Sequence, residues 1–428
     1  MSRRSQTRRT GIGRAASMAA LGLAGALAAA GSAVAGPASA VVGPGSAVAA
    51  PVGALAVVPA TPTIVVAPGG SDSAAGTLAS PFATIQKAVD KAVPGDVIAV
   101  RGGTYSLTVN ITIAKNGTSA APITLTNYGT ERVVIDGENL PASHTPVGGS
   151  IPGAQRGAIH MQASFWRLVG LEITRGPYAV YCAGCNDNVF ERLVTRNNYE
   201  SGFQLQGSSS RNLILNLDSS LNHDPRKNGE SADGLAIKEG SGSGNVVRGA
   251  RLWNNVDDGL DLWLFTSPVT VQNTISYGNG VNRWNFPDFA GDGNGFKLGG
   301  GSPAPAVAHS VSNAIAYLNA AHGFTDNNQA GRILISRSTA YRNGGTGFDV
   351  DASSTVLTGN LAVDNAKPVA LGSSSTGSGN SWDLGGTWNA AALISTDDSV
   401  ITGPRVAGNI PSSSFLVPRS GQPVGARF

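Results

Sequence analysis

The stretch WNNVDDGLDLW, residues 253–263, carries Asp257, Asp258 and Asp261 among apolar side chains, with no lysine or arginine inside it. Carboxylates so closely spaced repel one another and raise each other's pKa unless a cation neutralises them. An all-oxygen donor set on turns at several angles suits a hard cation, and calcium's loose geometry better than magnesium's strict octahedron. No histidine or cysteine accompanies the three, which argues against zinc. A fourth acid, Asp233 in SADGLAIK, and a lysine, Lys297 in NGFKLGG, occur in matching local settings. An ammonium beside a divalent ion is disfavoured, so Lys297 becomes a usable base for a carbon-bound proton. The plain alternative is a solvated acidic face in which Lys297 pairs with Asp261.

Asp233 and Lys297 are far apart in sequence, so a repeat must bring them together. One exists: Gly, then Phe or Leu, then a variable residue, usually followed by another apolar one. It reads GFQL at 202–205, GLAI at 234–237, GLDL at 259–262, GFKL at 295–298, GFTD at 323–326 and GFDV at 347–350. In four copies an asparagine stands four residues before the glycine: Asn198, Asn255, Asn319 and Asn343. Short β-rich runs such as NVFERLVT, NVVRGARLW and VTVQNTISY lie upstream of the copies, and no helical pattern lies between copies. Coils of this kind cannot bury their inner faces alone and must stack, so the pattern predicts a parallel β-helix. Alternation then buries Phe296 and Leu298 and turns Lys297 outward; it likewise buries Leu260 and Leu262 and exposes Asp261. Aligned on the glycine, Asp233 stacks against Asp258, and Lys297 lies one coil beyond Asp261, about 4.8 Å away.

The pattern also sets the ends and the walls. FATIQKAVDKAV, 82–93, has apolar residues at helical spacing and is stopped by Pro94-Gly95, predicting a helix that caps the first coil. After about residue 377 the repeat fades into a closing tail. Two coils carry insertions before the glycine, HDPRKNGESAD (223–233) and VNRWNFPDFAGDGN (281–294), placed to wall a groove over the acidic patch. Within or beside them, Lys238 and Arg283 are candidates for holding carboxylates of a substrate, Trp284 and Phe286 for lining sugar subsites, and His322 for a hydrogen bond to substrate. Each has an ordinary structural reading as well.

Five arginines and an Ala/Leu/Gly run precede Ala33-Val34-Ala35, so residues 1–35 read as a secretory signal rather than a membrane anchor. The general export route fits better than the twin-arginine route. Loss of those arginines takes the formal charge from +3 to −2, which leaves no case for nucleic-acid binding. Residues 36–62 are an Ala/Pro/Gly-rich linker or pro-region, and 63–428 form the β-helix. Cys182 and Cys185, the two cysteines, read as half-buried thiols or a local disulfide with no assigned function.

On these motifs the sequence resembles the pectate lyases of polysaccharide lyase family 9. The resemblance runs from about Thr63 to the C-terminus and is most specific in NGESADGLAIK, NNVDDGLDLW and GNGFKLGG. It implies a single-stranded right-handed parallel β-helix and calcium ligated by Asp233, Asp257, Asp258 and Asp261. It also implies Lys297 as the base that takes the C5 proton of a uronate. Leu235 and Leu260 stand where aromatic residues are common in the family, but facing the core. The reading is a secreted, monomeric enzyme that cleaves polygalacturonate by β-elimination. The alternatives are a lyase for another uronic-acid polysaccharide, a glycoside hydrolase using paired carboxylates, and a non-catalytic polysaccharide-binding protein.

Overall fold

The computed structural model describes residues 61–428. The expected signal (1–35) and nearly all of the linker (36–62) lie outside the described residues. From Ile64 onward the chain winds through short strands that pair in parallel with their counterparts one coil away. They form a 12-stranded sheet and two 10-stranded sheets. One turn runs from Leu213–Leu215 in the first sheet to Asp218–Ser220 in the second and Leu235–Ser241 in the third, then returns at Asn245–Arg248. The expected parallel β-helix is therefore present. No helix among the described residues is long and apolar enough to cross a membrane.

The repeated phrase lies on the third sheet and keeps its expected register: Phe203 pairs with Leu235, Leu235 with Leu260, Leu260 with Phe296, Phe296 with Phe324, and Phe324 with Phe348. All six side chains are fully buried. The rings of Phe296, Phe324 and Phe348 stack with centroids 4.7 and 4.9 Å apart. The glycine before each is needed for clearance rather than for an unusual φ. A Cβ added to Gly259 would come within 2.7 Å of Gly295 O, and one on Gly295 within 2.7 Å of Gly323 O.

The asparagines form a continuous ladder, buried through Asn198, Asn222, Asn255, Asn279, Asn319 and Asn343 and half-buried at its last member, Asn365. Each Nδ2 donates to the next Oδ1, which also accepts from the preceding residue's backbone N–H. Each amide thereby satisfies backbone and side-chain groups at a corner that water does not reach.

The capping helix is shorter than 82–93. It spans Ile85–Lys91, with the Thr84 hydroxyl accepting from Lys87 N, and buries Ile85, Ala88 and Val89. Phe82 instead bridges to Val66 beside the first strand, and Ala92 has already left helical geometry two residues before Pro94. The tail closes the stack only at its start, where Trp382 lies 5.4 Å from the Phe348 ring. It then folds back along the second sheet. Ile401, Phe415, Leu416 and Val424 pack there on Ile275, Ile315, Tyr317 and Leu361, and Arg405 joins Arg251 on the Asp218 carboxylate at 2.6 Å each. Cys182 and Cys185 are disulfide-bonded and fully buried rather than half-buried.

The ladder generates a test away from the site. Asn343→Ala leaves Asn319 N–H and Nδ2 without their acceptor and should lower stability by about 2–4 kcal/mol. A shift of the urea unfolding midpoint measures it.

Candidate active site

The strands that carry the chemistry are two residues long, Leu260–Asp261 and Phe296–Lys297, and pair so that Asp261 is opposite Lys297. With Leu260, Leu262, Phe296 and Leu298 locked in the core, Asp261 and Lys297 leave the opposite face of the sheet. Asp233 and Asp258 occupy the corner before their glycines, with Gly234 N donating to Asp258 O between them. One carboxylate oxygen each from Asp233, Asp258 and Asp261 lies within 4.8 Å of the others, and so do those of Asp257, Asp258 and Asp292. The five residues expected from the sequence are thus brought together. The difference is exposure: Asp261 faces outward yet is only 2% exposed, with Lys238 Nζ 3.2 Å from its Oδ2.

Backbone and amide donors orient these acids. Asp258 Oδ1 accepts from Asn294 N and Nδ2 at 2.7 and 2.9 Å, Asp257 Oδ1 from Asp292 N at 2.6 Å, and Asp261 Oδ1 from Trp263 N at 2.9 Å. Asp233 Oδ1 and Asp258 Oδ2 are buried without a hydrogen bond; the latter faces Lys297 Nζ at 3.1 Å without hydrogen-bond geometry. Lys297 Nζ donates to Asp292 Oδ2 at 2.7 Å. Lys238 Nζ sits inside the cluster, 2.8 Å from Asp233 Oδ2 and 3.2 Å from Asp261 Oδ2, so it serves as a counter-charge to the acids.

Burial raises the carboxyl pKa of Asp257, and neighbouring Asp258 and Asp233 raise it further. Burial likewise pushes Asp233 up to about 7, against the pull of Lys238 and with help from Asp261 and Asp258. For Lys297, burial favours the neutral amine, but Asp258, Asp261, Asp257 and Asp292 outweigh it and hold the ammonium well above the ordinary lysine value. With carboxylates alone around it, Lys297 is an acid's partner rather than a base.

A groove of about 470 Å³ runs over this floor, lined by Asp257, Asp261 and Lys297 and walled by Lys227, Glu230 and Ser231 of the first insertion. The second insertion contributes Asp292. Arg283 and Trp284 do not reach the groove. Trp284 stacks on His223, with centroids 5.1 Å apart, and Arg283 Nη2 donates to Asn254 Oδ1 at 2.8 Å. Phe286 stacks on Trp284. His322 lines an adjoining pocket with Asp349 and accepts from Thr346 N through Nδ1 at 3.1 Å. Sequence reasoning missed Asp292, whose FAGDGN setting gave only its acidity, and Arg156, Tyr178 and Trp263, which line the groove without belonging to a repeated phrase.

Comparison with known proteins agrees with the fold. Residues 64–389 match the family model "Pel9A-like, right handed beta helix region". The chain is 50% identical over 384 residues to "Pectate lyase PEL9" of Emericella nidulans, covering 85% of this chain and 94% of that protein. It is 32% identical to "Pectate lyase L" of Dickeya chrysanthemi over 79% of each. Among solved structures it resembles pectate lyase Pel9A, with TM-score 0.71, 31% identity and coverage of 83% and 89%. It also resembles a protein titled "Rhamnogalacturonan lyase", with TM-score 0.72, 26% identity and coverage of 85% and 99%.

The buried acids generate a pH test. A carboxyl whose folded pKa is raised contributes full stability below its unfolded value and loses it as pH rises through the folded value. For Asp233 that window runs from 3.8 to about 7, and Asp224, pushed up by burial and by Glu200, adds to it over the same range. The melting temperature measured with chelator should therefore fall between about pH 4 and 7. A hard divalent cation should shrink that fall.

Proposed function

The chain belongs to the Pel9A-like right-handed β-helix family and is a pectate lyase, and on that premise we propose that it is an exported, monomeric enzyme that cleaves polygalacturonate by β-elimination. Calcium is held by Asp233, Asp257, Asp258 and Asp261, and Lys297 is the base. The observation that carries this reading is the pairing of Asp261 with Lys297, which sets an acid of the cluster and an amine side by side on the floor of one groove. The donor set fits the ion: oxygen ligands only, close together, and two buried carboxylate oxygens, on Asp233 and Asp258, that lack a hydrogen-bond donor. Export rests on the character of residues 1–35.

The chemistry calcium supplies in such a site is neutralisation of a substrate carboxylate and of the charge that gathers there as the adjacent C–H bond breaks. The protein's own part is to hold the acids and the amine in register. Balancing the four carboxylates that keep Lys297 protonated lowers its pKa and frees the Nζ lone pair. Nζ then accepts the C5 proton; the C5 electron pair becomes the C4–C5 double bond, and the C4–O bond breaks with its electrons leaving on the glycosidic oxygen. Asp292, paired to Nζ and 57% exposed at its side chain, stands where its carboxylate can offset the positive charge that Nζ gains with the proton. A hydrolase reading would leave Lys297 without a task.

The test is absorbance of unsaturated uronides from polygalacturonate with calcium and with chelator. Activity should require calcium, and Lys297→Ala should lower kcat by about 10²–10⁴-fold while calcium binding persists. Saturated products would identify a hydrolase. Unsaturated product from rhamnogalacturonan alone would move the substrate towards that of the second structural relative.

A further inference from the structure

Five cationic side chains line the groove, and four of them have acidic partners. Lys297 faces Asp258 and Asp292, Lys238 faces Asp233 and Asp261, Lys227 lies 3.2 Å from Glu230, and Arg226 pairs with Glu200. The fifth, Arg156, has no carboxylate within ion-pair distance among the described residues. Glu200 acts on it only through space, being bonded to Arg226. Of the three guanidinium nitrogens of Arg156 only Nη1 is engaged, donating to Tyr181 Oη at 3.1 Å, and Nε is buried with no partner. The group lies over the Tyr181 ring, 5.4 Å from its centroid, which fixes its plane. A half-buried guanidinium without a counter-charge is costly unless an anion completes it.

Its position along the groove follows from the strand register. Tyr181 pairs with Gln204, Gln204 with Ala236, Ala236 with Asp261, and Asp261 with Lys297. That is four strand spacings, about 19 Å, between the coil carrying Tyr181 and the coil carrying Lys297. One coil nearer to Lys297, Gln204 is 2% exposed and its Oε1 has no hydrogen-bond partner, while Nε2 donates to Gln206 Oε1 at 2.8 Å. Two groove-lining side chains, Arg156 just before the strand Ile159–Met161 and Gln204 two coils further on, thus keep unspent polar groups, one of them a cation whose planar fork matches a carboxylate.

We propose that Arg156 is the carboxylate-binding residue of a distal subsite, holding an acidic sugar of the bound chain several units from the bond that breaks at Lys297. The proposal rests on the polyuronate reading above. Its consequence is preference for long chains, because a short oligomer seated at Lys297 does not reach Arg156.

Calorimetric binding to the calcium-loaded Lys297→Ala protein tests it without turnover. Adding Arg156→Gln should weaken octagalacturonate binding about tenfold and leave trigalacturonate unchanged. Arg156→Lys, which keeps the charge, should recover part of the loss. In the active enzyme Arg156→Gln should raise KM on polygalacturonate with kcat held. Octamer affinity unchanged by Arg156→Gln, or no octamer binding with Arg156 intact, would overturn the proposal. So would equal losses for trimer and octamer accompanied by a lower melting temperature, which would mark Arg156 as a support for Tyr181. Failure of the active enzyme to make unsaturated product would instead refute the proposed function, and the binding comparison can be read independently of it.

Discussion

Everything at the site depends on strict coil-to-coil register in the sheet that carries Asp261 and Lys297. The two strands concerned contribute only two residues each, too few for their own ladder to resist slippage. The register is pinned from both sides instead. Inside, the column Leu235, Leu260, Phe296, Phe324 and Phe348 stacks ring on ring or side chain on side chain. At the corner, the asparagine ladder carries buried hydrogen bonds from coil to coil through Asn222, Asn255, Asn279 and Asn319. The glycines between ladder and column let successive backbones approach more closely than a Cβ would allow. Slipping one residue would break all three devices at once and turn Lys297 into the core.

That rigidity lets the protein hold an arrangement that opposes its own folding. Asp233, Asp257 and Asp258 are each 2% exposed or less and share two lysines. Burial raises their pKa values and the lysines draw them down, so the corner is stable only while its charges are balanced. Lys238 and Lys297 do the balancing in the structure described. A divalent ion among the acids would take over part of that task, and the amine released from it is the one that points into the groove. The feature that costs stability is on this account also the source of the reactivity.

Much of this was legible in the sequence because it repeats. The inward column, the outward pair Asp261 and Lys297, and the corner acids all follow from aligning six short phrases on a glycine. The asparagine ladder was only half visible: Asn222 and Asn279 are separated from their glycines by the two insertions, so a fixed offset of four misses them. Arg283 and Trp284 lie in an insertion that does wall the groove, but an insertion has no period to say which side chains turn inward, and Trp284 is taken by His223. Lys238 is outward as alternation requires, yet its partners are the protein's own acids. Arg156 belongs to no phrase at all; it becomes visible only when the groove's cations are matched with their partners. The tail's fold along the second sheet was beyond reach because its contacts, such as Arg405 on Asp218, bridge residues with no local pattern in common.

The central claim is that the charge state of Lys297 is set by the acids and released when a cation balances them. The most direct measurement is the acylation rate of individual lysines at fixed pH, resolved by peptide mass spectrometry with calcium and with chelator. The account predicts that calcium speeds modification of Lys297 while exposed lysines such as Lys91 are unaffected. A Lys297 rate that is unchanged or slower with calcium bound would contradict it.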